Sequence, residues 1–266
     1  LVVDETYAKR DCSEVDAEQI FVLTTGNCKN VYREEKCVYK YQCVDQILSE
    51  ILETYFEKTK ENVMKSVKKE FVKIIAIYSP IHRVGKTSFA IAFGKELAKF
   101  KKVLYLNMEE YFGYGEMFEQ IDNGNLGDAL YYTKQENSNF GLRLRMLVRT
   151  IDELDYIPPM PVSLDLKEVR WEEWKVLFKQ IVEDSVYEVI LLDIGESVQG
   201  LLKMLDLCDR IYMPVLEDDV SQEKLRQYEE NLQRLQLERL MEKTYMFIGL
   251  QDIENKMRQL VKEEVL

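Results

Sequence analysis

Six short segments of almost continuous apolar residues recur between residues 71 and 250, and amphipathic stretches separate them. The apolar segments are 71–78, 102–107, 154–157, 187–193, 210–216 and 244–250. Apolar residues recur at helical spacing in 86–100, 171–184, 197–207 and 219–240. Strands that are apolar on both faces are typical of a parallel sheet with helices on each side. Because such crossovers are right-handed, the pattern predicts an α/β fold with a doubly wound, mostly parallel sheet.

The first part of the chain has a different pattern, in which short apolar runs alternate with polar turns. The predicted strands lie at 1–3, 20–23 and 38–39, and a predicted helix covers 47–56. Residues 58–70 are almost wholly charged or polar, which is typical of a linker or a solvated helix extension. We therefore expect a small domain at 1–57, a charged linker at 58–70 and a large domain at 71–266.

Charge and cysteine content exclude several classes of protein. A formal net charge of −12 would repel a nucleic-acid backbone, so nucleic acid is not an expected partner. The five cysteines show no CxxC spacing and His82 is the only histidine, so we expect reduced thiols and no zinc site.

No apolar run approaches the roughly 20 residues that span a bilayer, and residues 1–5 do not read as a secretory signal. These features predict a cytoplasmic protein. Because the sequence starts in a predicted strand and without Met, we expect it to continue a longer chain.

The first strand of the large domain leads into a loop with the features of a phosphate site. Residues 79–88 read Ser-Pro-Ile-His-Arg-Val-Gly-Lys-Thr-Ser and precede a predicted helix. Such a loop aims N–H groups at phosphate oxygens, while a lysine reaches the β- and γ-phosphates and a hydroxyl holds Mg²⁺. We assign phosphate binding to Arg83, Val84, Gly85, Lys86, Thr87 and Ser88. Because Pro80 replaces the first glycine of the GxxxxGKT pattern, the motif is degenerate, and a vestigial loop is the alternative.

Two further apolar segments are followed by acidic residues. Asp193 closes the segment 187–193, where a Walker-B-type carboxylate holds Mg²⁺ through water together with the Thr87 hydroxyl. A turn or helix-capping role is the alternative for Asp193. Glu109 follows another strand and is a candidate to reach the γ-phosphate or to position water. Lys86, Glu109 and Asp193 are therefore the predicted catalytic residues, with ATP and Mg²⁺ as the predicted cofactors.

With these residues in view, the segment 71–266 resembles the deviant-Walker-A ATPases of the MinD/ParA class, whose motif reads KGGxGKT. The matching residues read Ile81-His82-Arg83-Val84-Gly85-Lys86-Thr87. The signature lysine of the class, which reaches the nucleotide across a sandwich dimer, falls on Ile81. Its two glycines fall on His82 and Arg83. The resemblance therefore implies a P-loop NTPase fold and a homodimer, and the replacement of the signature lysine by Ile81 argues against catalysis across the dimer.

Two other motifs of the class are also altered. The two acidic residues that end its second strand match Asn107 and Glu109, and its DxPxG switch motif reads Asp193-Ile194-Gly195-Glu196 here. These departures imply that ATP hydrolysis is slow or absent, and that nucleotide binding is the better prediction.

Residues 1–57 resemble the second half of a response-regulator receiver domain, which is a flavodoxin-like α/β fold. Asp4 ends the strand that would carry the phosphoacceptor, Thr24 ends the next strand, and Lys40 matches the lysine of a Lys-Pro motif. The acidic pair with which receivers hold Mg²⁺ is not among these residues, so we expect a pseudo-receiver. Turn-forming roles for Asp4 and Thr24, and a surface position for Lys40, are the alternatives.

A receiver-like domain ahead of a MinD-like domain is the arrangement of the CpaE/TadZ proteins, which help to position tight-adherence pilus assembly. This resemblance implies an ATP-binding positioning or scaffold protein with weak or no ATPase activity. Its partners would belong to a localisation, secretion or pilus-assembly machine at the membrane or cell pole. The alternatives are a non-catalytic interaction module with a vestigial P-loop, and a ParA-like partitioning ATPase.

Two helical segments each have two interpretations. Trp171 and Trp174 begin an apolar face in 171–184, and packing against the sheet is favoured over an aromatic ligand site. MinD proteins end in a membrane-binding amphipathic helix, and the segment 253–265 is also amphipathic. Its charges are mixed instead of basic, so packing on the domain is favoured over peripheral membrane contact.

Overall fold

A computed structural model gives the structure of residues 1–8, 19–26, 36–42, 44, 47, 50, 51, 71–113, 124–135, 140–248 and 253–265. The chain divides into two compact units, residues 1–68 and residues 69–266. The predicted phosphate loop belongs to the larger unit.

The smaller unit contains β1 (Val2–Asp4), α1 (Glu5–Ala8), β2 (Phe21–Thr24) and β3 (Lys36–Tyr39). The strands form a parallel sheet in the order β1–β2–β3, and Phe21, Val22 and Val38 are buried. The three predicted strands are confirmed. Ile47, Glu50 and Ile51 are helical within the predicted helix 47–56, and Val44, which precedes it, is helical as well.

The cysteines differ in part from expectation. Cys37, on β3, is joined in a disulfide bond whose partner lies outside the described residues, so the prediction of reduced thiols is wrong for this residue. Cys208 is free and buried, and its burial raises the pKa of the thiol to about 12.

The larger unit contains an α/β sheet whose strands are separated mainly by helices. Its strands are β4 (Lys73–Ile77), β5 (Val103–Met108), β6 (Arg149–Ile151), β7 (Leu154–Ile157), β8 (Val189–Ile194), β9 (Arg210–Val215) and β10 (Thr244–Ile248). Among the described residues they lie in the order β10–β9–β4–β8–β5–β7–β6, and only the β6–β7 pair is antiparallel. The predicted α/β fold with a mostly parallel sheet is confirmed.

Helices cover both faces of this sheet. They are α2 (Lys86–Ala98), α3 (Leu126–Thr133), α4 (Phe140–Leu147), α5 (Ser163–Glu168), α6 (Trp171–Asp184), α7 (Leu201–Leu207), α8 (Asp219–Arg234), α9 (Arg239–Glu242) and α10 (Ile253–Val265). One apolar core contains residues of α2 and α10, and the other contains residues of α3 to α9. Strand β4 contributes to both, because Ile74 and Ala76 face one core while Ile75 and Ile77 face the other. The absence of polar alternation in this strand follows from burial on both faces.

The packing roles predicted for the helices at 171–184 and 253–265 are confirmed. Trp174 is fully buried on α6 and stacks on Phe178, with ring centroids 6.1 Å apart. Among the side chains of α10 whose burial the structure describes, Met257, Leu260, Val261 and Glu264 are buried. This helix packs against α2, as predicted for a segment with mixed charges. None of the described helices is both long and apolar enough to cross a bilayer.

Two local features differ from the sequence pattern. Ile151 pairs with Leu154, so a two-residue loop joins β6 and β7, and its residues Asp152 and Glu153 have φ of 46° and 68°. Such loops usually carry Asn-Gly or Asp-Gly, so the Asp-Glu sequence does not indicate a hairpin turn.

The predicted helix 219–240 is interrupted. Helix α8 ends at Arg234, and Gln236 has φ of 57°. The Leu237 N–H donates to the Leu232 carbonyl at 2.9 Å, which is the hydrogen bond of a Schellman cap. Glutamine occupies the position where glycine would have signalled the end of the helix.

Candidate functional site

The loop 79–85 joins β4 to α2 at the carboxyl edge of the sheet. Ser79 Oγ donates a 2.7 Å hydrogen bond to the carbonyl of Pro214 on β9, and it accepts the Ile81 N–H at 3.2 Å. The side chains of Ile81 and Val84 are buried in the core that contains α3 to α9. The loop is therefore fixed both by a neighbouring strand and by its own apolar side chains.

Two residues of this loop have left-handed backbone conformations. Gly85 precedes α2 with φ of 75°, and Arg83 has φ of 60°. Glycine adopts this conformation freely, whereas a side chain costs about 1 kcal/mol or more. Arg83 occupies the position of the second glycine in the MinD/ParA motif that this segment resembles, and it adopts a backbone conformation that favours glycine.

The predicted phosphate-binding residues surround the start of α2. Lys86 and Thr87 are the first two helical residues and are half-buried. Arg83 and Ser88 are exposed. Because the side chain of Val84 is buried in the core, this residue presents only its backbone to a ligand.

The ammonium group of Lys86 lies between the ends of three strands. Its Nζ donates a 2.6 Å hydrogen bond to the carbonyl of Ile194, the last residue of β8. It forms an ion pair with the carboxylate of Glu109, which follows β5. It also lies 6.0 Å from the centre of the Tyr78 ring, just beyond β4. The structure therefore brings two of the three predicted catalytic residues into direct contact.

Asp193 is fully buried at the end of β8 and belongs to a polar network with β5. Its Oδ2 accepts a 3.0 Å hydrogen bond from the Tyr105 hydroxyl and a 3.4 Å hydrogen bond from Asn107 Nδ2. Asn107 Nδ2 also donates to the Tyr105 hydroxyl at 2.9 Å. Asp193 therefore does not cap the following helix, which is the role that the simpler interpretation gives it.

The electrostatic state of Asp193 reflects competing effects. Burial raises its pKa to about 6, and the Glu109 carboxylate acts in the same direction. The Lys86 ammonium and the hydroxyls of Thr87 and Tyr105 favour the ionised form. The carboxylate consequently ionises near pH 6 instead of near pH 4.

These residues fit a hydrated Mg²⁺ ion. Oδ1 of Asp193 is buried and accepts no hydrogen bond from the described residues, although Thr87 lies close enough to favour its ionised form. Carboxylate and hydroxyl oxygens are suitable ligands for Mg²⁺, which usually keeps several waters. A hydrated cation beside Thr87 would satisfy the unpaired oxygen. No cluster of three or more His, Cys, Asp or Glu side chains in the described part is arranged to hold a metal.

Glu109 is held close to the chain that follows β8. Its N–H donates to Asn107 Oδ1 at 3.0 Å, and the Gly195 N–H donates to the Met108 carbonyl at 3.1 Å. A Cβ atom at Gly195 would lie 2.9 Å from that carbonyl and 3.0 Å from Oε2 of Glu109. Position 195 therefore requires glycine because the two loops approach so closely.

Sequence reasoning missed Tyr105 and the contact between two loops. Tyr105 and Asn107 alternate on β5 and so lie on one side of a strand that is otherwise apolar, which was the available signal. His82 Nε2 lies 3.4 Å from Glu196, which links the phosphate loop to the loop after β8 through two exposed side chains. Nothing in the spacing of His82 and Glu196 indicates this pair.

In the smaller unit, Asp4, Thr24 and Lys40 follow or end parallel strands at one edge of the sheet. Lys40 Nζ lies 3.2 Å from Oδ2 of Asp4, and the Thr6 N–H and hydroxyl donate to Oδ1. The Thr6 hydrogen bonds, followed by the Lys40 contact, lower the pKa of Asp4 to about 2. Thr24 Oγ1 donates to the Gly26 carbonyl at 3.1 Å.

Comparisons with known proteins identify the fold of the chain. No family profile matches the sequence, and no curated protein is significantly similar to it. A putative plasmid partition protein from Borrelia burgdorferi, solved with AMPPNP, superposes with a TM-score of 0.51 and 22% identity over 67% of this chain and 75% of its own.

Two other solved structures give the same result. A ParA family ATPase from Chlorobium tepidum has a TM-score of 0.52 and 17% identity over 66% of this chain and 73% of its own. The MinD cell division protein of Aquifex aeolicus has a TM-score of 0.50 and 17% identity over 73% of this chain and 78% of its own. The chain therefore has the α/β fold of ParA and MinD P-loop ATPase structures.

Proposed function

We propose that the larger unit binds ATP with Mg²⁺ and works as a nucleotide-dependent positioning or scaffold protein. The observation that carries this proposal is the convergence of Lys86, Thr87 and Asp193 at the start of α2. The half-buried ammonium of Lys86 is bonded to Ile194, the residue that follows Asp193. A fixed cation, a hydroxyl and an unpaired carboxylate oxygen form the minimum set for a Mg²⁺–phosphate ligand.

Each residue has a distinct role in this proposal. The N–H groups of residues 83–88 and the helix N-terminus would bind phosphate oxygens, and Lys86 would neutralise the β- and γ-phosphates. Thr87 and the ionised Asp193 would hold hydrated Mg²⁺, which supplies charge neutralisation to the phosphates. Tyr105 and Asn107 fix Oδ2 of Asp193, so that Oδ1 remains available.

We infer that hydrolysis is weak or absent. Ile81 stands at the signature lysine of the MinD/ParA motif, and its side chain is buried in the core. It provides no cation for a second subunit. Asn107 replaces one acidic residue of the motif and is committed to Tyr105 and Asp193.

Calorimetry with Mg-ATP tests nucleotide binding. We expect the native chain to bind, and Lys86→Ala to weaken the affinity by at least about tenfold, since it removes a charge on the phosphates. Lys95→Ala is the matched control, because Lys95 lies on the same helix and pairs only with the exposed Asp152 among the described ion pairs. If the native chain gives no heat, or if both variants lose affinity equally, the proposal fails.

A nucleotide-dependent homodimer is part of the same proposal. Large apolar side chains are exposed after several strands at the carboxyl edge that carries the phosphate loop, namely Tyr111, Val162, Leu164 and Val220. Apolar side chains at one edge support a contact between copies of the chain. Light scattering with and without Mg-AMPPNP tests this, and a mass that stays that of one chain in both conditions would contradict it.

We further propose that the smaller unit is a pseudo-receiver, which together with the larger unit gives the CpaE/TadZ arrangement. Its parallel strand order and the Lys40–Asp4 ion pair support a receiver-like edge. On this proposal the protein is cytoplasmic, is recruited to the membrane or cell pole, and contributes to pilus assembly. Affinity purification of the tagged native chain from its cell of origin tests this. We expect it to recover pilus-assembly proteins, and we expect the larger unit alone not to recover them.

Two other functions remain as alternatives, each with one supporting observation. The Lys86–Glu109 ion pair favours a non-catalytic module with a vestigial P-loop, because the lysine that would bind phosphate is already paired with a carboxylate. The fold shared with a plasmid partition protein favours ParA-like partitioning. A net charge of −12 opposes DNA binding, and retention on DNA that weakens with salt would be needed to support it.

A further inference from the structure

The ammonium of Lys86 already has an anionic partner within the chain. Among the described residues its partners are the Glu109 carboxylate, the Ile194 carbonyl and the face of Tyr78. The side chains of Lys86 and Glu109 are only 13% and 23% exposed. An ion pair at this depth is less screened by water than a surface pair, so a phosphate that approaches Lys86 meets a cation that is already neutralised.

The backbone of Glu109 is fixed, whereas its carboxylate can leave. The N–H of Glu109 is held by Asn107, which is itself bonded to Tyr105 and Asp193. The carboxylate lies over Gly195, where the missing side chain leaves room for it. Because the side chain is partly exposed, rotation about its own bonds carries the carboxylate into solvent without a change in the strand.

We propose that Glu109 is an internal competitor of the nucleotide: its carboxylate pairs with Lys86, and the β- and γ-phosphates must displace it to reach the ammonium. This inference rests on the proposed function, since it concerns the same site. The exchange replaces one anion by another at Lys86, and no covalent bond is made or broken. Its consequence is a protein that holds its phosphate site closed at low nucleotide concentration.

The adjacent residue provides a matched control. Glu110 carries the same charge one position further along, but it pairs with Lys167 at 3.2 Å instead of with Lys86. Glu109→Gln and Glu110→Gln therefore remove the same charge from the same loop, and only the first releases Lys86.

Calorimetric titration with Mg-ATP, Mg-ADP and AMP tests the inference. We expect Glu109→Gln to lower the Kd for Mg-ATP by about tenfold and to lower that for Mg-ADP as well. The Kd for AMP should stay the same, because AMP lacks the phosphates that a P-loop lysine reaches. Glu110→Gln should bind all three nucleotides as the native chain does. Thermal unfolding provides a second readout, in which Mg-ATP raises the Tm of Glu109→Gln more than that of the native chain.

The outcomes separate the inference from the function on which it rests. If the native chain binds Mg-ATP through Lys86 but Glu109→Gln binds no more tightly, the inference is overturned and the function stands. Equal tightening by Glu110→Gln also overturns it, because the effect would then be general repulsion. If no variant binds nucleotide, both fail. Should Glu109→Gln not fold, Glu109→Asp decides, since its shorter side chain weakens the pair and should give a smaller decrease in Kd.

Discussion

The phenolic hydroxyl of Tyr105 donates a 3.0 Å hydrogen bond to Oδ2 of Asp193, at a point where both side chains are almost completely buried. Asn107 donates to the same carboxylate oxygen and to the phenolic oxygen. The network holds one oxygen of Asp193 inside the sheet and leaves the other at the phosphate loop. It connects β5 and β8 through side chains as well as through the backbone.

Replacing Tyr105 with Phe removes this hydroxyl and keeps the ring in the core. Because a hydrogen bond to a charged group contributes about 1.5–3 kcal/mol, we expect Tyr105→Phe to lower the free energy of unfolding by about 1–2 kcal/mol at pH 8. Urea denaturation with a chelator present measures this. Tyr131→Phe, at an exposed position of α3, is the control and should change stability by less than about 0.5 kcal/mol. Equal losses in the two variants would refute the role of the hydroxyl.

The buried charge of Asp193 should make the chain less stable as pH rises. Burial raises its pKa from 3.8 to about 6, so the folded state binds more protons than the unfolded state between these values. Stability therefore decreases from about pH 4 to pH 6. We expect Asp193→Asn to be more stable than the native chain by about 2–3 kcal/mol at pH 7, and to lose this advantage near pH 4. Denaturation in chelator at several pH values measures the difference, and a difference that does not vary with pH would be inconsistent with this account.

Arg83 should be replaceable by glycine with a gain in stability. Its φ of 60° costs about 1 kcal/mol for a residue with a side chain, and glycine avoids this cost. We expect Arg83→Gly to raise the free energy of unfolding by about 0.5–1 kcal/mol, and the β-branched Arg83→Val to lower it by at least about 1 kcal/mol. His82→Gly is the comparison, because His82 has no positive φ and glycine there should destabilise. If glycine changed the free energy of unfolding in the same direction at positions 82 and 83, backbone strain at Arg83 would not explain the effect.

The β6–β7 turn offers a second test of backbone preference. Glu153 has φ of 68° at the second position of the loop, where Asn-Gly and Asp-Gly turns place glycine. We expect Glu153→Gly to increase the free energy of unfolding by about 0.5–1 kcal/mol, measured by urea denaturation. Glu168→Gly, in the last turn of α5, should instead decrease it. A decrease at both positions would contradict the turn type.

The buried carboxylate of Glu264 should hold α10 on the domain. It accepts a 2.7 Å hydrogen bond from the Tyr212 hydroxyl and lies 3.0 Å from Lys73 Nζ. Removal of one partner leaves the others uncompensated, so we expect Glu264→Ala to lower the free energy of unfolding by about 3 kcal/mol. The exposed neighbour Glu263 provides the control. Hydrogen exchange should become faster in α10 only for Glu264→Ala, and protection that stays unchanged would show that the apolar contacts alone hold the helix.

The sequence was most informative where burial alone decides the structure. The strands β4, β5, β8 and β9 are buried on both faces, and each lies within or close to its predicted segment. Strand β7 is largely buried, whereas β10 lies at the edge of the sheet and only its Phe247 is buried. The place of Asp193 followed from the same reasoning, because the carboxyl ends of parallel strands lie at one edge of a sheet. Its contacts with Tyr105 and Asn107 depend on strand register, which no local pattern determines.

Prediction failed where a residue other than glycine adopts the left-handed conformation that glycine usually marks. Asp152 and Glu153 form a turn without glycine, and Gln236 ends a helix in the left-handed conformation. Helices α3 and α4 are only eight residues each, too short for their periodicity to stand out between loops. The Lys86–Glu109 ion pair joins residues 23 positions apart that meet only because β4 and β5 both border β8.

Ile81 and Val84 anchor the phosphate loop in one core, while the helix that begins at Lys86 buries Phe89 and Phe93 in the other. The residues between Val84 and Phe89 therefore connect the apolar cores on the two faces of the sheet. A cavity made far from Lys86 on either face should thus weaken phosphate binding as well as the fold, and a bound nucleotide should reinforce both faces at once.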